Sequence, residues 1–305
     1  MHPSTTGNAS LRLGALEAGG TKMVMSILDQ QGVMLERVSI PTRTPQETMP
    51  EMIAFFRDQQ IGALGVGCFG PLDLNPASPA YGCITATPKL DWRNYPLLDE
   101  FRRALNVPVL LDTDVNGAAL AESRLGAAQG LGSCVYVTIG TGIGGGLIIG
   151  GECVHGLMHP EMGHQLLTPH PEDPSPEGFC PYHRRCLEGL ASGPAIMKRW
   201  GIPAQELPED HPAWQLEAYY LAQMCHNAMM TFSPEKIILG GGVMHKEFLF
   251  PMIREKTLEL LGGYISSPAV DAGLADYIVS PGLGDNSGVM GAWLLARRAY
   301  EEGGN

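Results

Sequence analysis

Basic residues are scarce in this chain of 305 residues: Lys and Arg number 20 against 32 Asp and Glu, giving a formal net charge of −12. A nucleic-acid partner needs positive surface to neutralise its phosphates, so none is expected. A small phosphorylated ligand remains open, because backbone amides and a metal ion can hold one. No apolar run is long enough to span a bilayer, so no membrane partner is expected either. The opening MHPSTTGNAS is polar and lacks the apolar segment of an export signal. The seven cysteines are an odd number, and most stand singly in apolar stretches. The reducing cytoplasm is therefore the expected compartment, without a disulfide framework. A P-loop is missing too, since no glycine-rich loop ends in Gly-Lys-Ser/Thr.

Glycine, by contrast, is abundant, at 39 residues, which points to tight turns and close backbone approaches. Strands are expected at Leu11–Leu16, Met23–Leu28, Met34–Ile40, Ala63–Phe69 and Val107–Leu111, with helices at Pro45–Gln59, Leu97–Leu105 and Val115–Ala128. The pattern then restarts with strands Cys134–Ile139 and Gly146–Ile149 around a glycine turn, followed by a loop-rich insert from about His155 to Cys186. Helices Pro194–Trp200 and Trp214–Thr231, strand Lys236–Leu239, helix Lys246–Leu261, strand Tyr277–Ser280 and helix Ser287–Glu301 complete the reading. Two units that each open with strand, glycine turn, strand describe a duplicated α/β fold. The expected boundaries are 11–114 for the first lobe, with helix 287–301 packing back on it, and 115–286 for the second.

Two glycine turns carry the first chemical signal: Gly19-Gly20-Thr21-Lys22, and Gly140-Thr141-Gly142 after Thr138. Glycines let backbone N–H groups converge on phosphate oxygens, and the threonines add hydroxyl donors. Gly140, Gly142 and Gly145 also fit G-x-G-x-x-G, but that dinucleotide pattern requires a following helix, and Leu147-Ile148-Ile149 reads as a strand. Each turn alone reads equally well as a plain hairpin. At matching places in two units they favour a phosphate clamp. A third run, Gly240-Gly241-Gly242-Val243-Met244, leaves a strand towards a helix, which suits nucleotide binding or simply a tight turn.

Asp112 and Asp114 leave the C-terminal end of a strand, the edge where α/β folds place ligands. A carboxylate there can take the proton of an acceptor hydroxyl in phosphoryl transfer, or it can cap the next helix. Strand alternation puts both on one side, so spacing does not choose between them. Cys180, His183 and Cys186 offer three soft ligands at short spacing, and His164 can supply a fourth. Four N/S donors describe a closed structural zinc site. A Cys180–Cys186 disulfide and two unrelated thiols are the alternatives. His155, His159 and His211 have no such grouping and read as ordinary polar residues.

Taken in order, Glu17-Ala-Gly-Gly-Thr-Lys22, Gly70-Pro-Leu-Asp73, Tyr81-Gly-Cys-Ile-Thr-Ala-Thr-Pro-Lys89, Asp112-Thr-Asp-Val-Asn116, Tyr136–Gly145 and His159-Pro-Glu-Met-Gly-His164 resemble the ROK family of sugar kinases. The cysteine motif departs from the usual C-x-C-G-x-x-G-C-x-E and runs Cys180-x-x-His183-x-x-Cys186-x-Glu188, similar to the zinc-containing bacterial fructokinases. The resemblance implies a duplicated actin-like, ribonuclease-H-type fold whose lobes close on ATP and a hexose, in a homodimer. It implies Asp114 as general base, and Glu161, Glu188 and Asn116 for the sugar. Thr138, Pro194 and Gly240–Met244 would lie along the nucleotide, with magnesium accompanying ATP and Glu17 orienting a metal-bound water. Thr113 stands where many glucokinases of the family have Asn, which suits fructose over glucose. Mannose, glucose and N-acetylmannosamine remain alternative acceptors. A sugar-responsive repressor of this family would need an N-terminal helix-turn-helix, for which the residues before Leu11 are too few.

Overall fold

The computed structural model describes residues 11–303. The polar opening segment, on which the absence of an export signal was read, lies outside the described residues. Among those described, no helix is long and apolar enough to cross a membrane.

In chain order the first elements are β1 (Leu13–Ala18), β2 (Lys22–Leu28), β3 (Met34–Pro41), α1 (Pro45–Asp58), β4 (Ala63–Cys68), α2 (Leu97–Leu105), β5 (Val109–Thr113) and α3 (Asp114–Leu125). Then come β6 (Ser133–Ile139), β7 (Ile143–Ile149), β8 (Glu152–Cys153), α4 (Leu187–Ala191), α5 (Gly193–Trp200) and α6 (Ala213–Phe232). The chain continues through β9 (Ile237–Gly240), α7 (Leu249–Leu261), α8 (Pro268–Asp271), β10 (Ile278–Val279) and α9 (Ser287–Gly303). Two compact units result. One takes in the chain up to Gly117 together with Gly288 onward, and the other is Ala118–Ser287.

The duplication is visible in the sheets. The first runs β3-β2-β1-β4-β5 and the second β8-β7-β6-β9-β10, the same order. In each, the first three strands in sequence pair antiparallel and the last two add in parallel. This is the expected duplicated α/β, actin-like ATPase fold. The register aligns the C-terminal ends: Ala18 pairs with Cys68 and Cys68 with Thr113 in one sheet, and Thr138 pairs with Gly240 in the other. Each glycine run therefore leaves from one edge of its sheet.

Each unit has its own core. Phe56, Phe101 and Trp92 are fully buried in the first, and Trp214, Tyr220 and Leu221 in the second. Burial of large side chains on this scale, at roughly 2 kcal/mol each, is what holds each sheet to its helices. In the first unit α9 packs backbone to backbone. A Cβ on Gly291 would stand 2.1 Å from the Gly117 carbonyl oxygen, and one on Gly65 would stand 1.9 Å from that of Ala292, so these crossings admit only glycine. The Trp293 indole N–H then donates to the Asp29 carbonyl at 2.9 Å.

Three of the boundary differences bear on the site. Strand β5 starts two residues later than read, after Pro108, so Asp112 lies in the strand and Asp114 opens α3. Strand alternation therefore does not relate the two carboxylates. Strand β7 begins at Ile143 because Gly144, Gly145 and Gly146 pair with Thr138, Val137 and Tyr136, and the ladder bonds carry a stretch that propensity disfavours. Helix α7 begins at Leu249 because Gly242–His245 forms a 3₁₀ turn. The glycine run of β9 thus opens into a single tight turn, not a long helix.

Candidate active site and metal cluster

The first unit presents its turn and its carboxylates from one sheet edge. The turn after β1 is closed by the Gly19 N–H donating to the Lys22 carbonyl at 3.0 Å. Thr42 supports it twice, its hydroxyl donating to the Gly19 carbonyl at 2.8 Å and its N–H to the Thr21 carbonyl at 2.9 Å. Thr21 and Lys22 are exposed. The Glu17 carboxylate lies at the N-terminus of α9, where a Cβ on Gly288 would sit 2.7 Å from it, a favourable place for negative charge.

Two strand spacings along the same edge, about 10 Å, lead to Asp114. The cap role foreseen for one of the aspartates belongs to Thr113, whose hydroxyl accepts the Asn116 N–H at 3.0 Å. Asp112 is buried, and its Oδ1 accepts from its neighbour Thr113 N–H at 2.7 Å and from the Asn116 amide at 2.8 Å. Asn116, read as a sugar contact, is itself fully buried beneath this pair. Asp114 is half-buried and accepts the Val115 N–H at 3.0 Å. Burial raises its carboxyl to about 6, against the opposing pull of that N–H. Such a group exchanges a proton near neutral pH, as a general base must.

In the second unit three glycine-bearing segments meet. The turn Gly140-Thr141-Gly142 joins β6 to β7, with the Gly140 N–H bonded to the Gly142 carbonyl at 2.9 Å. Gly193, the first residue of α5, donates its N–H to the Gly140 carbonyl at 2.9 Å, and Pro194 follows in that first turn. Gly241 has φ of +88°, and a Cβ there would lie 2.5 Å from the Ile139 carbonyl oxygen and 2.7 Å from the Thr138 hydroxyl. Thr138, the Gly140 turn, Pro194 and the run Gly240-Gly241-Gly242-Val243-Met244 thus share one corner of this unit.

Glu188, on α4, accepts the Ile143 N–H at 3.0 Å and so fastens the turn between β6 and β7. Glu161 precedes the 3₁₀ turn Met162–His164, and His159 Nδ1 lies 3.4 Å from its carboxylate. His159 is almost fully buried, so the sequence reading of it as an ordinary polar residue missed a partner of Glu161. The signal available was the two-residue spacing across Pro160, which says little without a fold.

The insert converges on four ligand atoms. His164, Cys180, His183 and Cys186 each offer one, all within 4.8 Å of one another. Cys180 and Arg184 exchange backbone hydrogen bonds at 3.2 and 3.0 Å, with Arg184 at φ of +55°, and this tight knuckle turns His183 back on Cys180. Leu166 bridges Cys186 in antiparallel fashion and carries His164 to the other side. The Sγ–Nδ1 separations are 3.5 Å for Cys186–His164, 4.0 Å for Cys180–His164 and 3.9 Å for Cys180–His183. A tetrahedral zinc ion with ordinary Zn–S and Zn–N bonds sets such edges at about 3.4–3.8 Å; the donors fit in kind, and of these three separations one falls in that range and two lie just beyond it. Burial pushes the Cys186 thiol up to about 12, and a cation is what would hold it as thiolate. All seven cysteines are free, so the Cys180–Cys186 disulfide considered from sequence is not formed.

The ROK family profile matches residues 13–299. Among curated proteins, the fructokinase of Pediococcus pentosaceus is 46% identical over 289 residues, covering 95% of this chain and 99% of that protein. The fructokinase of Zymomonas mobilis is 44% identical over 294 residues, covering 94% and 96%. Among solved structures, a ROK glucokinase from Streptomyces griseus in complex with glucose and AMPPNP is 25% identical with a TM-score of 0.77, covering 94% of this chain and 99% of that one. With the family profile spanning residues 13–299 and relatives 44–46% identical across nearly the whole chain, the chain belongs to the ROK family.

Proposed function

We infer that this protein is an ATP-dependent fructokinase converting D-fructose to fructose 6-phosphate. The observation that carries the reading is the near full-length similarity to fructokinases at 44–46% identity. In the reaction the bond between the γ-phosphorus and its bridging oxygen breaks. A new bond forms to the 6-hydroxyl oxygen of fructose, and ADP leaves with the bridging oxygen. Asp114 takes the hydroxyl proton. Its position on a sheet edge, half-buried and with a carboxyl near 6, supports that role. Asp112 and Asn116, bonded to each other, hold the start of α3 in place, which makes Asn116 a positioning residue in this scheme. Glu161 and Glu188 bind sugar hydroxyls, with Glu161 oriented by His159.

Nucleotide binding draws on Thr138, Gly140, Thr141, Gly142, Pro194 and Gly240–Met244 of the second unit, and phosphate binding on Gly19, Gly20, Thr21 and Lys22 of the first. Magnesium arriving with ATP would offset the charge of the phosphate groups held by the Gly19–Lys22 turn. His164, Cys180, His183 and Cys186 hold a structural zinc ion, which ties the insert to α4. With every cysteine free, a cytoplasmic setting is the consistent one.

A coupled ADP-release assay with Mg-ATP over fructose, glucose, mannose and N-acetylmannosamine tests the reading. Fructose should give the highest kcat/KM. A clear preference for another hexose would replace fructose, and the glucose-bound relative makes glucose the second reading.

A further inference from the structure

We propose that Lys89 is a catalytic residue whose ammonium holds the phosphoryl group in transit, a role that rests on the fructokinase reading. The residue stands outside the glycine motif and is brought to it by a chain of fixed contacts. Lys89 precedes a 3₁₀ turn, Leu90–Trp92. Trp92 is buried, edge-on to Phe69 at 5.9 Å and to Tyr95 at 5.4 Å, and its indole N–H donates to the Arg43 carbonyl at 2.7 Å. Arg43 adjoins Thr42, the residue that supports both Gly19 and Thr21. Phe69 in turn donates its N–H to the Ala18 carbonyl at 2.8 Å, just before the turn. On the other side, the Lys89 N–H donates to the hydroxyl of buried Thr87 at 3.3 Å. The segment that carries Lys89 is thus bolted to the same supports as the Gly19–Lys22 turn.

The consequence is a lysine laid over the turn. Its Cε passes 3.4 Å from the point where a Cβ on Gly20 would stand. Among the described residues its ammonium has no hydrogen-bond acceptor and no ion-pair partner, in a chain with an excess of 12 negative charges. A lysine stem that passes over a phosphate-type glycine turn and ends in an unpaired cation has the chemistry of an anion contact. The same sheet edge carries Asp114, since Ala18, Cys68 and Thr113 are in register across β1, β4 and β5. The turn beneath Lys89 and the start of α3 at Asp114 therefore leave the same edge of one sheet. That places Lys89 with the group leaving ATP for the sugar, where three phosphoryl oxygens carry the developing charge. The competing explanation is that only the aliphatic stem matters, as packing over Gly20.

Lys89→Met keeps the stem and removes the charge, and Lys89→Arg restores charge with altered geometry. Both are compared with the wild-type protein in the ADP-release assay, in Mg-ADP calorimetry and in thermal melts. Lys89→Met should lower kcat about a hundredfold with Tm unchanged, while KM for fructose stays within about threefold. ADP lacks the transferred group, so its affinity should stay within about twofold, and Lys89→Arg should regain about tenfold of the lost kcat. Full kcat in Lys89→Met overturns the proposal, as does a loss of ADP affinity in step with kcat. A wild-type protein inactive on fructose is a different result, and it overturns the fructokinase reading together with this one.

Discussion

In the first unit the glycine turn is braced by one threonine and lies open at Thr21 and Lys22; in the second it is gripped from two sides, by Glu188 at Ile143 and by Gly193 at Gly140. The sheets behind them have the same strand order, so the difference comes from what is attached to the third strand. In the first unit that strand, β3, runs for eight residues and leads directly into α1. Its counterpart β8 is only two residues long, and the chain then leaves the sheet for the insert that gathers His164, Cys180, His183 and Cys186. Cys186 immediately precedes α4, and two residues on, Glu188 reaches the turn. One scaffold thus has two characters: an edge that presents charged groups, and a corner joined through the Cys186–Glu188 segment to a cluster of four metal-type ligands.

The comparison is most sharply tested at Asp114. Asp114→Asn should lower kcat about a thousandfold. For an acid whose folded-state value is raised to about 6, ionisation opposes folding at pH above that value, and the cost disappears as pH falls toward the unfolded value of 3.8. Asn removes that cost, so the variant's Tm at pH 7.5 should equal or exceed that of the wild type, as measured by calorimetry. The same group predicts that kcat/KM declines below about pH 6, as the base becomes protonated.

Next in size is Cys186→Ala. It should cut bound zinc, measured by elemental analysis, and destabilise the protein by about 4 kcal/mol. Because Cys186 leads into Glu188, ATP affinity should fall with the metal; an unchanged affinity in zinc-depleted, folded protein would break the proposed link from cluster to turn.

A third test lies outside both turns. The buried Glu122 carboxylate accepts from Ala127, Gly282 and Leu283 N–H groups and from the Ser287 hydroxyl, at 2.7–3.0 Å. Glu122→Ala strands these donors and should cost about 3 kcal/mol in chemical denaturation. The smallest effect is expected at the cap beside the proposed base, where Thr113→Ala should cost about 1 kcal/mol.

How much of this was legible in the sequence depends on how local the signal is. The metal cluster was readable because Cys180, His183 and Cys186 lie within one short knuckle, and His164 follows a recognisable Glu161-x-x-His164 step. The hairpins were readable from glycine between apolar runs. Strand β7 was cut short in the reading because three glycines look like a loop until their cross-strand partners are known. Asp112 and Asp114 could not be separated because the choice turns on where β5 ends, a two-residue shift that pairing with β4 decides. Glu122 was invisible, since three of its donors sit 160 to 165 residues away. Lys89 was quoted within a motif but had no role until the Trp92 anchor placed its stem on Gly20.

The central claim is that the charged edge of the first unit performs phosphoryl transfer to fructose with Asp114 as base. The direct measurement is ADP release by wild-type and Asp114→Asn proteins, side by side, with Mg-ATP and fructose. The account predicts rapid turnover by the first and about a thousandfold less by the second, with both proteins equally folded. Comparable turnover by the two, or none by either, would contradict it.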